Sequence, residues 1–203
     1  MALLDWIAPE SGLRIDGDGV VLRPPRAQDY AEWRDLRAQS RAFLQPWEPT
    51  WPADDLSRAS YRRRLMAYAR DRDAGVAYPF FVIRAADEAL TGGITLSNVR
   101  RGVAQMGSVG YWCGQPFARQ GLTLAAVRAL NAFAFRTLGL HRLEAACIPQ
   151  NDPSRRLLVQ AGYSEEGFAP AYLKINGAWR DHVLFGQLNP DGAHEGPDMG
   201  VSV

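Results

Sequence analysis

Apolar and polar residues follow one another along this chain in blocks whose period changes. Val20 to Arg23 is a short apolar run stopped by Pro24 and Pro25, which lack the N–H a sheet ladder needs, and it predicts a strand. From Ala27 to Ser40 the period lengthens. Tyr30, Trp33, Leu36 and Arg37 recur at three- and four-residue steps, with Asp29 in the first turn, which predicts a helix. The next segment, FLQPWEPTWPADD, holds three prolines and two tryptophans and predicts irregular backbone with exposed aromatics. A second helix is expected from about Leu56 to Asp73.

Strand patterns then dominate. Tyr78–Arg84 and Ala89–Ser97 flank a turn at Ala86-Asp87-Glu88, and Met106–Cys113 follows a turn around Arg101-Gly102. Leu122–Leu138 has only two charges, Arg128 and Arg136, so it predicts a helix buried against a sheet. Arg142–Ile148 is a further strand. Asp152 is placed to cap the next helix, with Pro153 as its first residue and Gly162 ending it. Residues 169–175 and 178–187 flank Asn176-Gly177, the pair suited to a two-residue type I′ turn. Together these elements predict a mixed α/β (α+β) fold of seven strands and about four helices, with a mostly antiparallel sheet. Residues 1–188 are expected to form one domain. Residues 189–203, rich in Gly, Pro and Asp, are expected to form a disordered tail.

Composition narrows the function. The 203 residues are 47% hydrophobic and 22% charged, an ordinary globular balance. The net charge of +1 gives no strong nucleic-acid signal. Lys174 is the only lysine; Arg62, Arg63, Arg64, Arg70 and Arg72 form a basic cluster read as the solvated face of the second helix, with RNA or an acidic peptide as the alternative contact. Neither Cys113 and Cys147 nor His141, His182 and His194 has metal-ligand spacing, so no metal site is expected. No apolar run is long enough to cross a bilayer, and the start lacks a secretory pattern, so a cytoplasmic address is expected.

The chemistry concentrates between Met106 and Leu138. There a strand leads through a tight loop into a buried helix. A helix N-terminus presents unpaired N–H groups and partial positive charge, and a glycine lets a phosphate come close. The stretch Arg119-Gln120-Gly121-Leu122-Thr123-Leu124 therefore offers a diphosphate site. A plain strand–helix turn is the other reading of these residues.

This loop resembles the acetyl-CoA pyrophosphate loop of the GNAT superfamily, [Q/R]-x-x-G-x-[G/A], which falls here on residues 118–123. Gly121 matches, while Ala118 and Thr123 depart from the first and last positions. FLQPWEP (Phe43–Pro49), SNVRRG (Ser97–Gly102), GYW (Gly110–Trp112), N-x-x-S (Asn151–Ser154) and NGAWRDHVL (Asn176–Leu184) occur in the order found in the RimJ/RimL branch, the ribosomal-protein N-acetyltransferases, with RimJ the nearer. The resemblance spans about residues 20–187.

It implies the GNAT fold, with strands Met106–Cys113 and Arg142–Ile148, the fourth and fifth of the seven, splayed around acetyl-CoA. It implies cofactor contacts from the backbone of Gly110, Tyr111 and Trp112, from Arg119 to Leu124, and from Asn151 and Ser154. Ser154 would donate a proton to the leaving thiolate, or else serve as a second helix cap. The family's usual strand glutamate falls on Ser108, which cannot act as a base. Glu48 is then the first candidate, with Glu144 and Asp181 as others. Trp47, Glu48 and Tyr172 are expected to meet the acceptor. The implied reaction is direct transfer from acetyl-CoA to the N-terminal α-amine of a protein, possible partners being ribosomal proteins starting with alanine or serine, by a monomer or homodimer in a ternary complex. The alternatives are a small-amine acetyltransferase and a non-catalytic module that binds acetyl-CoA or the ribosome.

Overall fold

A computed structural model describes residues 12–192. Eight strands form one sheet in the order β1-β2-β3-β4-β5-β6-β8-β7. They are β1 (Ile15–Asp16), β2 (Val20–Arg23), β3 (Tyr78–Arg84), β4 (Leu90–Arg100), β5 (Met106–Cys113), β6 (Arg142–Cys147), β7 (Ser164–Ile175) and β8 (Ala178–Leu188). Neighbours are antiparallel except β5 and β6, which are parallel. The helices are α1 (Tyr30–Gln39), α2 (Arg41–Leu44), α3 (Arg58–Asp73), α4 (Leu122–Ala132) and α5 (Asp152–Gln160).

The eighth strand is the two-residue β1, which pairs Ile15 with Leu22 and is too short to leave a periodic signal. The fifth helix is the single turn α2, inside the proline-rich segment expected to be irregular. β7 begins five residues before the expected hairpin, at Ser164, and register shifts between Glu165 and Gly167 and between Ala169 and Leu173 interrupt it. The Asn176-Gly177 turn has φ of 44° and 83°, both positive as a type I′ turn requires.

Both faces of the sheet are covered, so the central strands are nearly continuous apolar runs rather than alternating ones. Phe80 and Val82 of β3 join Val127, Leu130 and Phe133 on the α4 side. The intervening Phe81 and Ile83 face Trp33 of α1 and Tyr61 of α3 on the other side. Trp33 and Tyr61 stack with centroids 4.8 Å apart, while Phe80 meets Phe133 edge-on at 6.0 Å. After Ala132 the buried helix widens into a π turn over Phe133–Thr137.

The basic cluster lies on α3. Arg63 and Arg64 pair with Asp54 and Asp55, and Arg70 pairs with Asp71. Residues 189–192 continue from β8: the Asn189 backbone N–H donates to His141 O at 2.8 Å and its side chain donates to Leu140 O at 3.3 Å. Residues 193–203, the remainder of the expected tail, lie outside the described residues. No helix among the described residues is long and apolar enough to cross a membrane.

Candidate active site

The site begins where the parallel pair parts. β5 and β6 pair only at Met106–Arg142, Gly107–Leu143 and Ser108–Glu144, although β5 runs on to Cys113 and β6 to Cys147. Beyond Ser108, β5 keeps β4 as its neighbour, through Gly110–Thr95 and Trp112–Gly93, and its other edge faces a gap. An unpaired edge carries the free N–H and C=O groups of alternate residues, which gives the Gly110–Trp112 stretch a backbone surface for a ligand.

α4 starts at one end of this gap. Gly121, its N-cap, is left-handed with φ of 79°, which glycine adopts without steric cost. It has no side chain to cap the helix, so the first-turn N–H groups of Leu122, Thr123 and Leu124 are not met by a cap. A Cβ built at Gly121 or at Gly110 meets nothing within 4 Å, so both backbones can be approached closely. Leu122 and Leu124 pack into the core, while the Cys113 thiol donates to Gly114 O at 3.4 Å. Gln120 braces the loop, donating to Pro116 O at 2.9 Å and accepting from Arg84 at 3.2 Å. Arg119, also at positive φ, is exposed. These features suit a diphosphate held by backbone amides.

Across the gap stands α5. Asn151, not Asp152, is its N-cap: the Asn151 side chain accepts from Ser154 N at 3.2 Å, and Asp152 is already helical. Asn and Asp cap equally well, so composition alone does not choose between adjacent residues. Ser154 is not a second cap. Its Oγ lies 2.8 Å from the Tyr111 hydroxyl, a bond that bridges β5 and α5. Burial pushes the Tyr111 phenol far up from its ordinary value, so it stays protonated. The Cys147 thiol also lies against Ser154 and is pushed up by burial, so it is a neutral thiol rather than a ready nucleophile. The Tyr111 side chain was not anticipated; strand alternation gives its face but not its reach to a residue 43 positions later.

Residues Ser108, Gly110 and Trp112 of β5 face away from α4. On that side a cavity of about 330 Å³ is floored by Phe81, Gly93, Thr95 and Trp112 and roofed by the segment from Glu48 to Pro52 with Arg37, Asp55 and Arg64. The Trp112 indole lies across Gly93, where a Cβ would collide with its ring nitrogen.

Glu48 does not have the free carboxylate expected of a base. Both its oxygens accept from Arg37 at 2.7 Å, and Oε2 also accepts from Trp51 at 2.7 Å. Arg37 is sandwiched, its guanidinium carbon 4.1 Å from the Trp51 ring centroid and 4.9 Å from that of Trp112. The other carboxylate candidates are engaged as well. Glu144 pairs with Arg142 at 3.0 Å, and Asp181 accepts from Ala171 N at 2.8 Å where β7 is irregular. Of the expected acceptor residues, Glu48 lines the cavity while Trp47 and Tyr172 do not. Trp47 is exposed beside α2, and exposed Tyr172 packs edge-on against His182. The tryptophans that line the cavity include Trp51 and Trp112. The one available signal was Arg37, a cation inside the apolar stripe of α1, a pattern that calls for a buried partner.

The hairpin of β7 and β8 closes over the roof. Asn176 N donates to the Glu48 carbonyl at 2.9 Å, and Gln45 donates to the Asn176 side chain at 3.3 Å. Among the described residues, no group of three or more His, Cys, Asp or Glu is placed to hold a metal ion.

Residues 20–164 match the family described as acetyltransferase (GNAT) domain. The [ribosomal protein uS5]-alanine N-acetyltransferase of Escherichia coli (strain K12) is 33% identical over 179 residues, 88% of this chain and 92% of that protein. The structure of Mycobacterium smegmatis RimJ in complex with CoA-disulfide is 31% identical with a TM-score of 0.80, over 87% of this chain and 86% of that one. That of ribosomal-protein-S5-alanine acetyltransferase from Vibrio fischeri is 28% identical with a TM-score of 0.82, over 90% and 100%.

Proposed function

The chain belongs to the GNAT acetyltransferase family and is an acetyl-CoA-dependent N-acetyltransferase; on that premise we propose that it acetylates the N-terminal α-amine of a protein, a ribosomal protein in particular. The observation that carries this reading is the parted β5–β6 pair, with free helix amides at its mouth and the Tyr111–Ser154 bond inside it. The relatives named for alanine N-acetylation of a ribosomal protein support the choice of acceptor.

Acetyl-CoA supplies an acetyl group on a thioester; the protein's part is to hold it, admit an amine and move protons. Leu122, Thr123 and Leu124 present their backbone N–H groups to the diphosphate. The β6-facing edge of β5 near Gly110 presents backbone groups to the pantetheine and the acetyl carbonyl. Tyr111 can donate to Ser154, which frees the Ser154 proton for the departing sulfur. The demand is modest, because a thiol has an ordinary pKa of about 8.5.

The engaged state of Glu48, Glu144 and Asp181 fits an acceptor that needs little help to lose a proton. An α-amine has a pKa of about 7.7–8.0, so its neutral form at pH 7 costs only about 1 kcal/mol, against over 4 for lysine. Water can carry that proton away. Holding amine and thioester in attack geometry supplies much of the rate in a ternary complex. The test is mass spectrometry of an alanine-starting peptide incubated with enzyme and acetyl-CoA. A 42 Da gain, about the mass of one acetyl group, on the α-amine and not on an internal lysine supports the reading. Acetylation confined to lysine or to a polyamine refutes it.

A further inference from the structure

On the face of the sheet away from α4, three successive pairs of β4 and β5 differ in what covers them. At Gly93–Trp112 the indole fills the level, lying where a Gly93 Cβ would go. At Ser97–Ser108 both side chains are spent: Ser97 Oγ donates to Ser108 O at 3.3 Å, and Asn98 donates to Ser108 Oγ at 3.4 Å. Between them lies Thr95–Gly110. A Cβ at Gly110 would meet nothing within 4 Å, so this level is open above β5. Its one side chain is that of Thr95.

Ile94 and Leu96 belong to the core on the α4 side, so strand alternation turns Thr95 toward the cavity that it helps to line. Two other hydroxyls of β4 are satisfied by the protein, Thr91 through Val82 O at 3.0 Å and Ser97 as above. The Thr95 hydroxyl has no partner among the described residues. Nor is it sealed away, since the buried unpartnered atoms there are Arg37 Nε, Asp55 Oδ2 and Arg64 Nε. It is a half-buried hydroxyl open to whatever enters the cavity, able to donate one hydrogen bond and accept others.

The cavity stands over β4 and β5, while the gap runs along the far edge of β5. An amine that enters the cavity therefore has to cross β5 to meet a thioester in the gap. Trp112 obstructs the crossing on one side, and Gly110 has no side chain to obstruct it. Neighbouring strands are about 4.8 Å apart, which brings a nitrogen over Gly110 within hydrogen-bond reach of a hydroxyl on Thr95. A neutral hydroxyl suits this task. A carboxylate in its place would favour the ammonium form and make the reactive amine harder to reach.

We propose that Thr95 is an amine-binding residue: its hydroxyl accepts one N–H of the acceptor's α-amine over the bare Gly110 and turns the nitrogen lone pair toward the acetyl carbon. This rests on the N-terminal transfer reading above. Thr95 exchanges no proton and forms no covalent bond.

The experiment uses the full-length enzyme with acetyl-CoA and an alanine-starting peptide. Thr95→Val keeps the shape and removes the hydroxyl, and kcat/KM for the peptide is expected to fall about tenfold. Thr95→Ser should recover most of that loss. Acetyl-CoA affinity, read by calorimetry, should stay at the wild-type value in both variants. If Thr95→Val fails to fold, Thr95→Ala removes the same hydroxyl and takes its place in the comparison. Equal kcat/KM with and without the hydroxyl overturns the role of Thr95 and leaves N-terminal transfer standing. So does a loss that serine fails to restore, or one matched by an equal loss of acetyl-CoA affinity. Acetyl-CoA binding by the wild type without turnover of any peptide overturns both.

Discussion

Arg37 and Glu48 meet through two N–H···O bonds of 2.7 Å each, with the arginine side chain 7% exposed. The pair joins α1 to the roof of the cavity, and Trp51 adds a third bond to the same carboxylate. Its arrangement decides what Glu48 can do.

Replacing Glu48 with alanine leaves a buried guanidinium without its partner. The expected loss of stability is about 3–5 kcal/mol, read by urea unfolding. Glu48→Gln keeps the shape and should cost less, and on the proposal that water carries the amine's proton away its rate at saturating peptide should stay within about tenfold of wild type. A loss of a thousandfold or more in a folded Glu48→Gln enzyme would restore Glu48 as the base.

Tyr111→Phe and Ser154→Ala each remove one end of the 2.8 Å bond across the gap. Each is expected to lower kcat about tenfold to a hundredfold, with peptide KM little changed. Because the two hydroxyls act in series, the double variant should be no slower than the slower single one. Multiplying losses in that cycle would show two independent roles.

Tyr61, Tyr111 and Tyr163 are all pushed up by burial from the ordinary phenol value of about 10. Tyr163 also donates to Asn131 at 2.9 Å, and Tyr61 to Arg26 O at 2.8 Å. Above pH ~10 the unfolded chain sheds phenol protons that the folded chain keeps, so the unfolded state binds fewer protons and stability falls as pH rises. These groups should leave stability flat up to about pH 9.5 and erode it above about pH 10. Urea midpoints measured at intervals across that range check this, and Tyr163→Phe should make the alkaline decline shallower.

Gly121→Val places a β-branched residue at φ of 79°. The strain is of order 1–2 kcal/mol or more. The loop should relax by changing the angle at which the α4 amides are presented. Calorimetry should then show acetyl-CoA binding weakened by about tenfold, in a protein whose melting temperature drops by only a few degrees. Unchanged affinity would mean the diphosphate lies elsewhere.

The parts legible in the sequence were those set by local rules. Asn176-Gly177 marked its turn because few other pairs accept positive φ twice. Gly121 marked the helix start because a bare N-cap needs a residue free of Cβ strain. What stayed hidden depends on where distant segments meet. Arg37 was read only as one more position of the helical stripe, and its partner lies 11 residues on, along a proline-rich path with no period to follow. Trp47 and Trp51 look alike in that segment; only the fold turns Trp51 inward onto Arg37 and leaves Trp47 at the surface. Ser154 was singled out by resemblance, yet Tyr111 was read for its backbone, because a hydroxyl contact across two elements leaves no trace in spacing.

The bond from Asn176 N–H to the Glu48 carbonyl also sets an order of events during synthesis. The roof residues leave the ribosome early, but the tip that fastens them belongs to the β7–β8 hairpin, which is made much later. Until β8 is made to complete the hairpin, the roof lacks the Asn176 tie and β6 lacks the strand it pairs with along its length. The roof of the cavity therefore takes its final place only after the β7–β8 hairpin is made, although the Gly121 loop and both residues of the Tyr111–Ser154 bond precede that hairpin in the chain.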